Sequence, residues 1–246
     1  MQRGQSVVTG LNNSKTYCRD SAQSSWTKQL VEVSVFLFLI VPSMALSFFA
    51  VKQGSLSFVL VAFATILRDL ALVSLILFFV WRNGESVNSI GWTFKNARRE
   101  FGLGIGLYIP FFFATGLFER ALQMVGFSVP STPLPSFTSP VGMGEFLLGL
   151  VLVAVVALAE ETIFRGYLIL RLRAITARPA MALLLSAVLF SLGHGYEGSA
   201  GVVTVGVMGL VLGFVYMWRK SLVAPVVMHF LQDFIGIVLL PLFGRG

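Results

Sequence analysis

The 246-residue chain is 56% hydrophobic and only 12% charged, with a mean hydropathy of +0.85, which excludes a water-soluble globular domain and a disordered chain. The length suits one bundle of about six to eight membrane-spanning helices at ~20 residues each. A net charge of +7 raises the question of a nucleic-acid partner, but the basic residues alternate along the chain as membrane topology requires, so no nucleic acid is expected.

Residues 1–30 are polar, rich in Ser, Gln and Asn, and read as a tail. The first apolar stretch begins only near Val33, too far in for a removable leader. Cys18, the single cysteine, excludes an internal disulfide and a CxxC metal site, and reads as an incidental free thiol. Seven apolar segments follow: Val33–Val51, Phe58–Val80, Phe101–Phe118, Phe146–Leu170, Pro179–Tyr196, Ser199–Trp218 and Leu222–Leu240. Open strands would leave unpaired backbone groups in lipid, so the expected fold is an all-α polytopic membrane bundle of seven transmembrane helices. A Pro/Ser/Thr-rich loop at 129–142 separates the N-terminal helices, 31–128, from a C-terminal half, 143–246. Four basic residues each fall in the tail, in 81–100 and in 165–178, while the alternate segments hold one or none and the last pair, Arg219 and Lys220, restores the pattern. The N-terminus is therefore expected in the cytoplasm, and seven crossings put the C-terminus outside.

Several features have plain readings. Arg68-Asp69 interrupts the second segment; adjacent residues do not face one another, so each is expected to find a separate structural partner on another helix. Gly102-Leu-Gly104-Ile-Gly106 follows no strand and is not a nucleotide loop. Gly209-x-x-x-Gly213 reads as a helix-packing motif, and Trp81, Trp92 and Trp218 as interfacial aromatics. Tyr196 and Glu197 read as a solvated loop at the outer mouth of the bundle.

The carboxylate pair Glu160-Glu161 sits inside the fourth apolar segment, with Arg165 behind it. An ionised group at the bilayer centre costs at least ~2.5–3.5 kcal/mol, so such residues persist there with a task. Glu161 and Arg165 are i,i+4 neighbours that can pair, whereas Glu160 points about 100° away and is presented to a different surface. The two histidines, His194 and His229, also lie in apolar segments. Counting ~1.5 Å per residue from the basic loops places Glu160 and His194 at similar depth, with His229 and Asp233 on one face of the last helix. Convergence of these groups supports three chemistries: water activation by a glutamate, zinc or another divalent metal on Glu160, His194 and His229, or a proton pathway. No H-E-x-x-H is present.

Glu160-Glu161-x-x-x-Arg165, Phe190-x-x-x-His194 and His229-x-x-x-Asp233, in this order, resemble the three motifs of the CAAX protease and bacteriocin-processing (Abi) family of intramembrane endopeptidases, related to the type II CAAX prenyl proteases. The resemblance covers about residues 145–240. It implies hydrolysis of a membrane-associated protein or peptide, with Glu160 and His194 activating water and His229 with Asp233 stabilising the oxyanion. Glu161, Arg165 and Phe190 would support them. Asp233 departs from the Asn that also occurs in this place: an ionised carboxylate donates no hydrogen bond, so Asp233 would either be protonated, which burial favours, or orient and charge His229 instead. A metal-independent mechanism without cofactor is expected. The chain reads as an integral protein of a bacterial cytoplasmic membrane. Its alternatives are a non-catalytic immunity or scaffold protein and a transporter using buried carboxylates; no internal repeat supports the latter. The sequence assigns no oligomeric state.

Overall fold

A computed structural model of the chain describes residues 26–45, 57–129 and 142–240. Cys18, the loop basic residue Lys52 and nearly all of the Pro-rich loop lie outside these residues. Among the described residues every regular element is helical, as the composition requires. Helix α1 spans Trp26–Ala45 and α2 Phe58–Arg82, the latter capped by Ser57, whose hydroxyl accepts from Leu60 N–H at 3.3 Å. A short 3₁₀ turn, Val87–Ile90, precedes α3, Ala97–Met124, which continues through Pro110. The next rod, Gly142–Thr176, is one continuous body in three parts: α4, Gly142–Glu160; a π-helical stretch, Glu161–Leu168; and α5, Ile169–Thr176. Then follow α6, Pro179–Leu192; a 3₁₀ turn, Gly195–Glu197; α7, Gly198–Arg219; and α8, Val223–Asp233, which runs into a second π stretch, Phe234–Leu239.

Seven helical bodies thus match the seven expected segments, five of them long and apolar enough to cross a membrane. Their ends differ from the apolar runs. Helix α1 starts at Trp26, inside the segment read as tail, because Glu32 belongs to the helix and is drawn in by partners described below. Helix α6 ends at Leu192, short of His194. Its 14 residues reach only ~21 Å, less than the ~30 Å of a hydrocarbon core.

The surface carries large apolar side chains such as Phe38, Phe63, Phe113, Leu117 and Phe214, as a lipid-facing bundle requires. The C-terminal helices pack α6 on α7, α3 on α8 and α4 on α8, while α2 lies along α4. Small residues allow the closest approaches. A Cβ on Gly209 would meet Ala187 and Phe190, and one on Gly213 would meet Leu183, so this motif packs α7 on α6 within the chain. Gly104 faces Val227 and Ala224 across the α3–α8 contact in the same way. Trp92 is half-buried, and its indole N–H donates to Thr162 Oγ1 at 3.1 Å; it braces the π stretch, whereas Trp81 and Trp218 are exposed.

Charged groups tie the ends together. Buried Arg171 reaches Glu32 of α1 at 3.1 Å and Glu85 at 2.8 Å, and Asn83 donates to Glu32 at 2.7 Å. Arg219 at the end of α7 forks onto Glu100 at the start of α3, at 2.6–3.2 Å.

Candidate active site

The π stretch begins at Glu161, and all eight of its residues are buried. Widening the backbone to i→i+5 bonding leaves carbonyls misaligned, and polar side chains take them up: Ser186 Oγ–H donates to Phe164 O at 2.6 Å. Thr162 Oγ–H donates to Leu158 O, also at 2.6 Å. Gly166 lets the Val87–Ile90 turn press close, since a Cβ there would lie 2.5 Å from Ile90 O. A π turn of this kind often marks a functional position, and here it carries the first motif.

Arg165 lies 2.8 Å from Glu161 Oε1, with both side chains buried, so the i,i+4 neighbours pair. Glu160 does not turn to a separate surface. Both acids reach the same imidazole: His229 Nδ1 is 2.8 Å from Glu161 Oε1, and His229 Nε2 is 3.7 Å from Glu160 Oε2. Asp233 Oδ2, one turn along α8, lies 3.4 Å from the same Nε2. Nδ1–H donates to Glu161, and at least one proton must lie between Nε2 and the carboxylates, because a bare lone pair there would face negative charge. Glu160 Oε2 has no hydrogen-bond donor from the protein, since 3.7 Å is too long for one.

The second motif enters through Phe190. Its ring lies 5.1 Å from Phe164, 4.9 Å from His194 and 6.0 Å from His229, with the Arg165 guanidinium 4.2 Å above its face. His194 therefore meets the cluster at one remove. It makes no ion pair with Glu160 among the described residues, because α6 has ended and the chain has turned before it. Its Nδ1–H donates to Phe190 O at 3.0 Å.

Four groups around these residues were read differently from sequence. Arg68 and Asp69 pair with each other, at 2.8 Å, correcting the expectation of separate partners; the long arginine folds back along the helix, and buried Asp69 is close enough to Glu160 and His229 for their charges to act on it. Tyr196 and Glu197 are half-buried rather than solvated. Tyr196 lies 5.9 Å from the His194 ring, and Glu197 is within electrostatic reach of His194, Asp233 and Glu160. The one signal for them in the sequence is their place two and three residues after a histidine in an apolar setting.

Among the described residues no three His, Cys, Asp or Glu side chains are gathered as metal ligands. His194 stands apart, and both nitrogens of His229 face carboxylates.

Comparison with the curated proteins and with the solved structures returns no match. Residues 142–235, the segment that holds all three motifs, match the family model described as type II CAAX prenyl endopeptidase Rce1-like, a similarity consistent with the CAAX protease and bacteriocin-processing family.

Proposed function

We propose that the protein is an intramembrane endopeptidase that hydrolyses a peptide bond of a membrane-associated protein or peptide, with Glu160 as general base. The observation that carries this reading is Glu160 Oε2, a buried carboxylate oxygen without a protein donor beside a histidine–carboxylate cluster. Such an oxygen can accept from a water molecule and take its proton. The hydroxide adds to the scissile carbonyl, the C–N bond breaks, and Glu160 returns the proton to the leaving amine. His194 Nε2 is a second acceptor for the attacking water. His229, held between Glu161 and Asp233, contributes positive charge toward the oxyanion. No metal takes part. The protein acts in the cytoplasmic membrane with its N-terminus inside, on substrates that reach the site from the bilayer.

The test is mass spectrometry of new protein termini in host membranes containing the parent protein or Glu160→Gln. The variant is nearly isosteric and should fall at least ~10²-fold in cleavage, at normal membrane level. Strong chelators should leave parental cleavage intact. Full cleavage by Glu160→Gln, or loss on chelation with recovery on zinc, would overturn the mechanism.

A further inference from the structure

The tetrahedral intermediate of this reaction carries an oxyanion, and no hydroxyl stands among the motif side chains to donate to it. His229 Nδ1–H is committed to Glu161 at 2.8 Å, and Nε2 faces Asp233 at 3.4 Å and Glu160 at 3.7 Å. His194 Nδ1–H is committed to Phe190 O. Asp233 presents oxygens, not N–H groups. Arg165 is paired with Glu161 through Nη1 and stacked on Phe190, and its Nη2 finds no hydrogen-bond partner among the described residues. A hydroxyl donor has to come from elsewhere.

We infer that Tyr196 is a catalytic residue whose phenol O–H donates the hydrogen bond that stabilises the oxyanion. The inference rests on the protease reading above and supplies what it lacks. Tyr196 stands on the Gly195–Glu197 turn, two residues from His194, with its ring 5.9 Å from the imidazole. Groups on four separate elements act on its phenol: Glu160 of α4, Asp233 of α8, Glu197 of the turn and Arg68 of α2. The other tyrosines differ. Tyr108 feels Asp233 alone, and Tyr167 is engaged with Glu32 and Arg171, away from the motifs. The turn is fixed rather than loose. Glu197 N–H donates to His194 O at 2.9 Å, while Ser128 accepts Ala200 N–H at 3.0 Å through its carbonyl and Ser199 N–H at 3.1 Å through its hydroxyl. A neutral phenol among carboxylates remains a donor where Asp233 is none. The step transfers no proton from it. Water adds to the carbonyl, Glu160 holds the released proton, the phenol hydrogen bond tightens on the oxyanion, and the bond relaxes when the C–N bond breaks.

Removing one oxyanion donor costs ~10²–10³ in kcat. The experiment compares parent, Glu160→Gln, Tyr196→Phe, Asp233→Asn and the Tyr196→Phe/Asp233→Asn double variant. Glu160-dependent termini in host membranes are followed first, and then turnover of the peptide spanning the cleaved bond by each protein in liposomes. Tyr196→Phe keeps the ring beside His194, so yield and melting temperature should match the parent. Its kcat should fall ~10²-fold or more with KM nearly unchanged. The loss should be smaller in the Asp233→Asn background, where an amide N–H offers a second donor. Glu160-dependent cleavage at parental kcat in Tyr196→Phe overturns the inference alone. Absence of any Glu160-dependent terminus overturns the protease reading and the inference with it.

Discussion

Asp233 is a carboxylate beside a nitrogen that already faces another carboxylate, and a neutral amide would do at least as well as a donor toward the substrate. Its ion-pair partner among the described residues is His229 Nε2, at 3.4 Å, and in the proposed mechanism it holds that imidazole and its proton in place. Asparagine keeps a carbonyl oxygen that can accept from Nε2–H and adds N–H groups. Asp233→Asn should therefore retain or raise kcat, and Asp233→Ala, which removes the acceptor, should lower it. Rates of the two variants on one substrate check this. An inactive Asp233→Asn would show that the negative charge itself is needed to keep His229 protonated. Phe190 deserves the same weight as the ionisable residues. Its ring touches His194, His229, Phe164 and Arg165, so the three motifs meet on one apolar side chain.

The element that matters most is the π stretch Glu161–Leu168, which was not legible in the sequence. The apolar run, the buried charges and the Glu161–Arg165 spacing could all be read, because hydropathy and i,i+4 spacing are properties of composition and order. A change of hydrogen-bond register from i+4 to i+5 leaves no such mark. Depth counting for His194 also assumed a helix continuing past Leu192, whereas the chain turns there and Phe190 carries the contact instead. The contacts of the motif residues leave no such mark either: the sequence puts Glu160 and His194 at one depth, and among the described residues the ion pair that Glu160 makes is with His229 Nε2, at 3.7 Å. The Glu161–Arg165 pair anchors this rod. Removing one member of a buried pair typically costs ~3–5 kcal/mol, because the other charge is left buried and unmatched. Glu161→Ala and Arg165→Ala should each lower yield and melting temperature, with partial recovery in the double variant. Single variants that melt like the parent would show that the pair does not stabilise the fold.

At the scale of the whole molecule, the N-terminal helices are more than a scaffold beside the motif-bearing half. Glu32 and Glu85 grip Arg171, Glu100 grips Arg219, and α2 brings Arg68 and Asp69 to the motif residues. Among the described residues there are seven helical bodies, and together with the alternation of basic residues they support the proposed topology, with the N-terminus inside and the C-terminus outside. In that proposed topology the short reach of α6 would leave His194 and Tyr196 below the outer surface. Irregular backbone at that depth persists only where protein or a water-filled cavity surrounds it, which suits a site that must admit water but not lipid. Cys18, the single cysteine of the chain, makes the topology directly measurable. A membrane-impermeant maleimide should leave Cys18 unlabelled in intact cells and label it after lysis. In a Cys18→Ser chain carrying Gly246→Cys, the new thiol should label in intact cells. Labelling of Cys18 from outside would invert the orientation. A C-terminal thiol reached only after lysis would mean an even number of crossings, as when the α8 segment alone re-enters the bilayer rather than spanning it.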